Sequence, residues 1–252
     1  MKLDNRTANE LIGSEYLRTR LSPKFEDYYY LCLSDLLIAL KRESSDHKIM
    51  VLDYGCGGSP YRSLFPNAVY KRADIEQADG DRLDYLLDAR SNISEKDETF
   101  DLVLSSQVAE HLVDPKNYFS ECFRLLKSGG KLICTTHGYF PDHGCPYDFQ
   151  RWTADGLRRD IHDAGFTVKS VEKLTTGARA FFSILDFSMS HLEFPRSSIY
   201  GAGIFLARKA FRFLRPGLYR YLDAARPNER IVADANNEYS FYIGLIAIAV
   251  KE

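Results

Sequence analysis

The chain has 252 residues, 45% of them hydrophobic, a formal net charge of −2 and five cysteines. That is ample apolar content for a core, and it leaves no global electrostatic basis for nucleic-acid binding. The cysteines (Cys32, Cys56, Cys122, Cys134 and Cys145) are scattered without a Cys-x-x-Cys pair, which excludes a disulfide framework and predicts reduced thiols in a cytoplasmic protein.

Residues 1–47 are expected to form an N-terminal cap. The first 22 are polar, with no apolar region of the secretory kind, and no run of about 18 apolar residues follows that would span a bilayer. From Pro23 a helix is predicted, because Phe25, Tyr29, Leu33, Leu36, Leu37 and Leu40 recur at three- and four-residue spacing. Ser44-Ser45-Asp46 ends it. The apolar run Ile49 to Leu52 then reads as a buried parallel strand, followed by Asp53 and the glycines Gly55, Gly57 and Gly58. Glycines at such a turn let a ligand approach the main chain, and free amides there can hold a polar group. A second strand, Ala68 to Ala73, ends at Asp74, and a third, Asp84 to Leu87, closes on Asp88-Ala89.

The fourth strand, Phe100 to Ser106, is the clearest and leads through Gln107 and Glu110-His111 to a helix opened by Pro115. That helix runs to about Leu126, with Gly129-Gly130 at its far end. Lys131 to Thr136 is strand five, and an aromatic loop runs from His137 to Trp152. Thr153 caps the next helix, Thr167 to Leu174 is strand six, and Phe241 to Val250 is the last strand. Alternation of this kind predicts a doubly wound, mostly parallel sheet. Residues 48–174 form the core, 175–237 an inserted helical or irregular block, and 238–252 the final strand, all in one domain. The insertion is too long for a simple loop.

The segments VLDYGCGGSPYRSLF, ADIE, LLDA, FDLVLSSQVAEHLVDP, ECFRLLKSGGKL and HGCPYDFQRWTADGLRRDIHDAGF, in that order, resemble the class I S-adenosylmethionine-dependent methyltransferases. The resemblance implies a Rossmann-like, seven-stranded sheet whose last strand is antiparallel, with S-adenosylmethionine as cofactor. By that resemblance Asp53 lies near the methionyl amine, and the backbones of Gly55, Cys56 and Gly57 approach the cofactor. Asp74, with Ile75 beside it, takes both ribose hydroxyls. Asp88 and the Ala89 backbone meet the adenine, and Ser106 and Gln107 lie under the sulfonium. Asp74 is expected to stand free until the ribose arrives. Many relatives carry a third glycine where this chain has Ser59. A nicotinamide fingerprint needs a glycine at Pro60, so a dehydrogenase is the poorer reading.

Methyl transfer from a sulfonium is an in-line displacement, so the protein mainly positions the nucleophile and removes a proton. Candidates for the base are His111, His137 and His143, with Tyr139 and Asp148 behind them. His111 alternatively steadies the loop after strand four, and Arg151 alternatively holds Asp148 in a structural ion pair. No metal is expected, since His137, Asp142, His143 and Cys145 match no standard zinc spacing. Within the insertion, Arg208, Lys209, Arg212 and Arg215 share one helical arc, and Ile204, Ala207, Ala210, Phe211 and Leu214 another. Such a helix either covers a sheet with its apolar face or makes peripheral contact with an anionic membrane through residues 204–215. The expected acceptor is a small molecule, a glycan or a lipid-linked compound, methylated at oxygen. The alternative is a non-catalytic cofactor-binding or membrane-associated scaffold.

Overall fold

In the computed structural model of the protein, residues 13–77, 82–88, 90–143, 147–191, 199–233 and 241–252 are described. Period-two alternation along the strands sends neighbouring side chains to opposite faces of one sheet. Leu52, Val103, Leu245 and Ala247 join one core, while Val51, Leu102, Leu104 and Ile246 join the other. On the first face the helix Pro115–Leu125 packs Tyr118, Phe119, Cys122 and Leu125, its Asp114 carboxylate accepting the Asn117 amide hydrogen at 3.0 Å. The helix Ala154–Asp163 lies beside it, capped by the Thr153 hydroxyl oxygen, which accepts from the Gly156 amide at 3.1 Å. On the second face the helix Tyr30–Arg42 contributes Leu36, Leu37 and Leu40.

The strands are β1 (Met50–Tyr54), β2 (Val69–Asp74), β3 (Tyr85–Leu86), β4 (Phe100–Ser106), β5 (Leu126–His137), β6 (Thr167–Thr176), β7 (Ile231–Ala233) and β8 (Tyr242–Val250). They form an 8-stranded sheet in the order β3-β2-β1-β4-β5-β8-β6-β7. β8 is antiparallel to both neighbours, as expected of the last strand. The strand beyond the expected seven is β7, a short piece of the insertion paired antiparallel to the edge of β6.

Several boundaries differ from expectation: β5 starts at Leu126 and not at Lys131, so Gly129 and Gly130 lie within it and not at a helix end, β3 is only Tyr85–Leu86, and β6 runs on to Thr176. The first long helix starts at Tyr30 and not at Pro23, because the Asp27 carboxylate accepts the Lys24 amide hydrogen at 2.7 Å and folds residues 24–27 into a turn. The polar leader is a helix from Ser14 to Leu21, clasped to that turn by Arg18, which pairs with Asp27 at 2.7 Å and Glu15 at 2.6 Å. Residues 1–12, Asp81, Ala89 and Cys145 lie outside the described residues.

The insertion is largely helical, with helices Gly177–His191 and Ile199–Ala225. It is tied to the Tyr30–Arg42 helix by a buried ion network. Arg179, fully buried, donates to Asp35 at 2.6 and 2.9 Å and to Asp223 at 2.8 Å. Arg230 meets the same two acids at 2.8 and 2.6 Å, and the Tyr30 hydroxyl donates to Asp223. The cationic arc does not lie wholly on the outside. Arg215 turns inward to Asp186 at 3.1 Å, and Arg208 donates to the Ser190 carbonyl at 2.7 Å. Of the expected apolar arc, Ile204 and Phe211 are half-buried while Ala207, Ala210 and Leu214 are exposed, and Phe205, Leu206 and Phe213 beside it are 60%, 64% and 85% exposed. Among the described residues no helix is long and apolar enough to cross a membrane.

Candidate active site

The strand order reverses between β1 and β4, and the carboxyl ends of β2, β1, β4 and β5 open there onto a cavity of about 1390 Å³. Open α/β sheets bind ligands at such a switch point. A single small ligand typically fills about 300–1,000 Å³, so this cavity has room for two.

The turn after β1 builds one wall. The amides of Gly55 and Cys56 both donate to the Ala73 carbonyl, at 2.8 and 3.0 Å, fastening the turn to β2. Gly55 has φ +79°, and a Cβ there would lie 2.5 Å from a Val108 methyl, so both conformation and space demand glycine. Ser59, standing where relatives place a third glycine, also adopts a left-handed φ of 49°. The Arg72 guanidinium donates to its hydroxyl at 2.8 Å and helps hold that strained backbone.

Asp53 is buried, with its carboxylate accepting the Tyr70 hydroxyl at 2.7 Å. Burial pushes its pKa up to about 7, against the opposing Tyr70 hydrogen bond. Asp74 does not stand free. It accepts the Gly57 amide at 2.6 Å and the Ile75 amide at 2.7 Å, while burial raises its pKa against those two bonds. Ile75 is half exposed beside it. Asp88 binds the amides of Arg90 and Asn92 at 2.8 Å each, and the Asn92 bond draws its pKa down. Ser106 and Gln107 also face the cavity, held by Thr135, to which Gln107 donates through its amide at 2.9 Å.

A histidine cluster lines the same cavity. The turn after β4 buries Glu110 completely, and its Oε2 accepts the Thr136 hydroxyl at 2.7 Å. Its Oε1 accepts no hydrogen bond, although His137 Nε2 lies 3.2 Å and His111 Nε2 3.9 Å away. Burial raises the Glu110 pKa. Burial also drives His137 well below the usual histidine range, and lowers His143 together with the neighbouring His111. His111, His137 and His143 all line the cavity. Arg151 holds Asp148 at 2.5 and 2.6 Å, so that ion pair is structural, and Asp148 in turn accepts the His143 amide at 2.7 Å. Tyr139 points elsewhere, against Phe241, while Asp142 edges the cavity almost fully exposed.

Sequence reasoning missed the aromatic wall across the cavity. Tyr28, from the run Tyr28-Tyr29-Tyr30, shares a 3.0 Å hydrogen bond with His191 Nδ1, and Phe187 joins them on the helix Gly177–His191. The three consecutive tyrosines were the available signal.

The sheet order, the glycine turn and the strand-end acids together define a Rossmann-like methyltransferase fold. Residues 52–134 match the family model described as a methyltransferase domain. A ubiquinone biosynthesis O-methyltransferase of Ruegeria sp. (strain TM1040) is 34% identical over 111 residues, which is 38% of this chain and 44% of that protein. One of Maricaulis maris (strain MCS10) is 33% identical over 102 residues, 35% of this chain and 40% of the relative. The match thus spans less than half the length of these curated relatives. A SAM-dependent methyltransferase of Archaeoglobus fulgidus superposes with TM-score 0.52 at 15% identity, covering 95% of this chain and 100% of that one. Phosphoethanolamine N-methyltransferase 2 of Haemonchus contortus, solved with S-adenosyl-L-methionine, gives 0.51 at 16% identity over 97% of this chain and 57% of its own. Residues 52–134 are thus similar to a methyltransferase domain, and the solved structures share its fold.

Proposed function

We propose that the protein transfers a methyl group from S-adenosylmethionine to the oxygen of a small-molecule, glycan or lipid-linked acceptor. The observation that carries this reading is one cavity lined both by Asp53, Gly57 and Asp74 and by the histidine cluster. The residues fit the cofactor by their donor set. Asp74, fixed by two amides, keeps acceptor capacity for a vicinal diol, and Asp53 offers a carboxylate to an ammonium. The bound cofactor supplies an electrophilic methyl group on sulfur. The chain's own work is to orient the acceptor and take its proton, for which imidazoles kept neutral by burial present lone pairs. The insertion, through Phe187 and His191, shapes the acceptor side. The relatives named for ubiquinone biosynthesis support an oxygen acceptor, and the free thiols of Cys56, Cys122 and Cys134 support a cytoplasmic setting. Transfer of labelled methyl across a panel of phenols, sugars and hydroxylated lipids tests the reading; no transfer, with no saturable cofactor binding, overturns it.

The Asp53 carboxyl gives a pH signature. It faces Tyr70, Asp74, Arg72, Cys56 and Ser59, and is protonated in the free protein below a pKa of about 7. A cofactor ammonium favours the carboxylate, so binding below that value releases a proton. Affinity should fall by about tenfold per pH unit below 7 and level off above it, until the amino group itself titrates near 8. Calorimetry in two buffers of different ionisation enthalpy reads the proton directly. Affinity that stays flat from pH 5.5 to 7 removes Asp53 from the ammonium.

A lipid-linked acceptor is supported by the outer face of the helix Ile199–Ala225. That face carries exposed Lys209, Arg212 and Arg220 and no acid between residues 199 and 222, interleaved with exposed Phe205, Leu206, Phe213 and Leu214. This composition matches an interfacial helix on an anionic bilayer. The protein should float with phosphatidylglycerol vesicles, and F205S/F213S should abolish flotation while cofactor affinity is retained. Equal flotation of the variant would place the contact elsewhere.

A further inference from the structure

We propose that Glu110, His137 and His143 form a binding site for one divalent transition-metal ion. The three residues come from separate elements: the turn after β4, the end of β5 and the aromatic loop beyond it. One ligand atom from each converges so that all lie within 4.8 Å of one another. The Glu110 Oε1 to His137 Nε2 separation of 3.2 Å is close to that of adjacent donors, each about 2.0–2.2 Å from a zinc-sized ion.

The carboxylate is prepared for a ligand other than a hydrogen. Glu110 is fully buried, and Thr136 satisfies Oε2 while Oε1 accepts nothing. A fully buried acceptor left without a partner is costly, and a cation would satisfy it. Both imidazoles are oriented from behind. His137 stacks on Phe140 at 4.1 Å with 8° between the rings. His143 Nδ1 lies 3.3 Å from Asp148 Oδ2, and Arg151 fixes that carboxylate. A carboxylate behind a histidine is the recurrent outer shell of metal-ligating imidazoles, setting the tautomer and ring direction.

Two imidazoles and one carboxylate select borderline ions such as Zn²⁺, Fe²⁺ or Co²⁺ over Mg²⁺ and Ca²⁺, which prefer all-oxygen shells. His137 and His143 both line the cavity, so coordination positions remain open toward the acceptor. An acceptor hydroxyl bound there would lose its proton more readily, with His111 left to receive it. That role rests on the methyl-transfer reading, whereas the site itself does not.

The test uses the full chain, stripped with chelator and titrated with Co²⁺. One equivalent should bind, with visible d–d absorption of low-symmetry nitrogen–oxygen coordination. E110Q, which preserves volume, and H143A should each weaken binding at least tenfold, while H47A, altering an exposed histidine, should bind as wild type. Circular dichroism and cofactor affinity of each variant confirm that the fold persists. Absence of stoichiometric Co²⁺ and Zn²⁺ binding overturns the site, as does binding unaltered in folded E110Q and H143A. Full-rate methyl transfer in chelator without metal binding overturns it while leaving the methyl-transfer reading intact. One-to-one metal binding lost in E110Q, with no cofactor affinity in the wild type, supports the site and removes that reading.

Discussion

Asp74→Ala should weaken S-adenosylmethionine binding by roughly 30- to 1,000-fold, or about 2–4 kcal/mol. Two ribose hydroxyls would lose charge-assisted hydrogen bonds each worth on the order of 1.5–3 kcal/mol, with water replacing part of the loss. The same change should cost stability in the free protein, because the carboxylate also accepts the Gly57 and Ile75 amides at 2.6 and 2.7 Å. Leaving those donors unpaired costs about 1–3 kcal/mol. Asp74→Asn separates the two effects. Its amide oxygen still accepts from the turn, so the fold is kept, while charge and one acceptor are removed from the ribose. Glu76→Ala, at an exposed neighbouring position, is the control. If Asp74→Asn binds cofactor within about threefold of wild type, under 1 kcal/mol, Asp74 is not the ribose ligand.

Arg179→Ala should be the most destabilising single change outside the hydrophobic core, at about 3–5 kcal/mol. Its fully buried guanidinium joins Asp35, equally buried on the Tyr30–Arg42 helix, to the partly exposed Asp223 on the Ile199–Ala225 helix. Removing it leaves the fully buried Asp35 carboxylate with Arg230 as its remaining cation, beside the hydroxyls of Thr175 and Ser34. The double change Asp35→Leu with Arg179→Met should recover part of the loss, since a buried pair often exchanges for apolar groups at little net cost. Urea denaturation monitored by circular dichroism measures both. A midpoint shift equivalent to less than 1 kcal/mol for Arg179→Ala would mean that packing, not the ion network, holds the insertion.

The outcome separates what local chemistry specifies from what tertiary partners decide. Strand β4 spans Phe100–Ser106 as expected, and Pro115 and Thr153 open their helices, because alternation, a fixed φ and a capping hydroxyl act within a few residues. Asp53, Gly55, Gly57 and Asp74 were legible for the same reason: strand ends and turns place them together. The inward rotation of Arg215 was not. A helical wheel assigns residues to arcs, but only Asp186, contributed by another helix, decides which arc faces the protein. The Glu110 cluster was equally hidden, since its three donors are distant in sequence and no spacing rule links them. Asp74 was read as free because the amides that hold it belong to the turn's conformation, not to its composition.

The position of β8 has a consequence for biosynthesis. Residues Tyr242–Val250 lie between β5 and β6, hydrogen-bonded to both along most of their length. During translation, β6 has no lateral partner on its inner side until that strand leaves the ribosome. Nascent chains stalled before residue 242 should therefore remain protease-sensitive and chaperone-bound, with unpaired edges on β5 and β6, and docking of β8 should be a late, long-range step in folding.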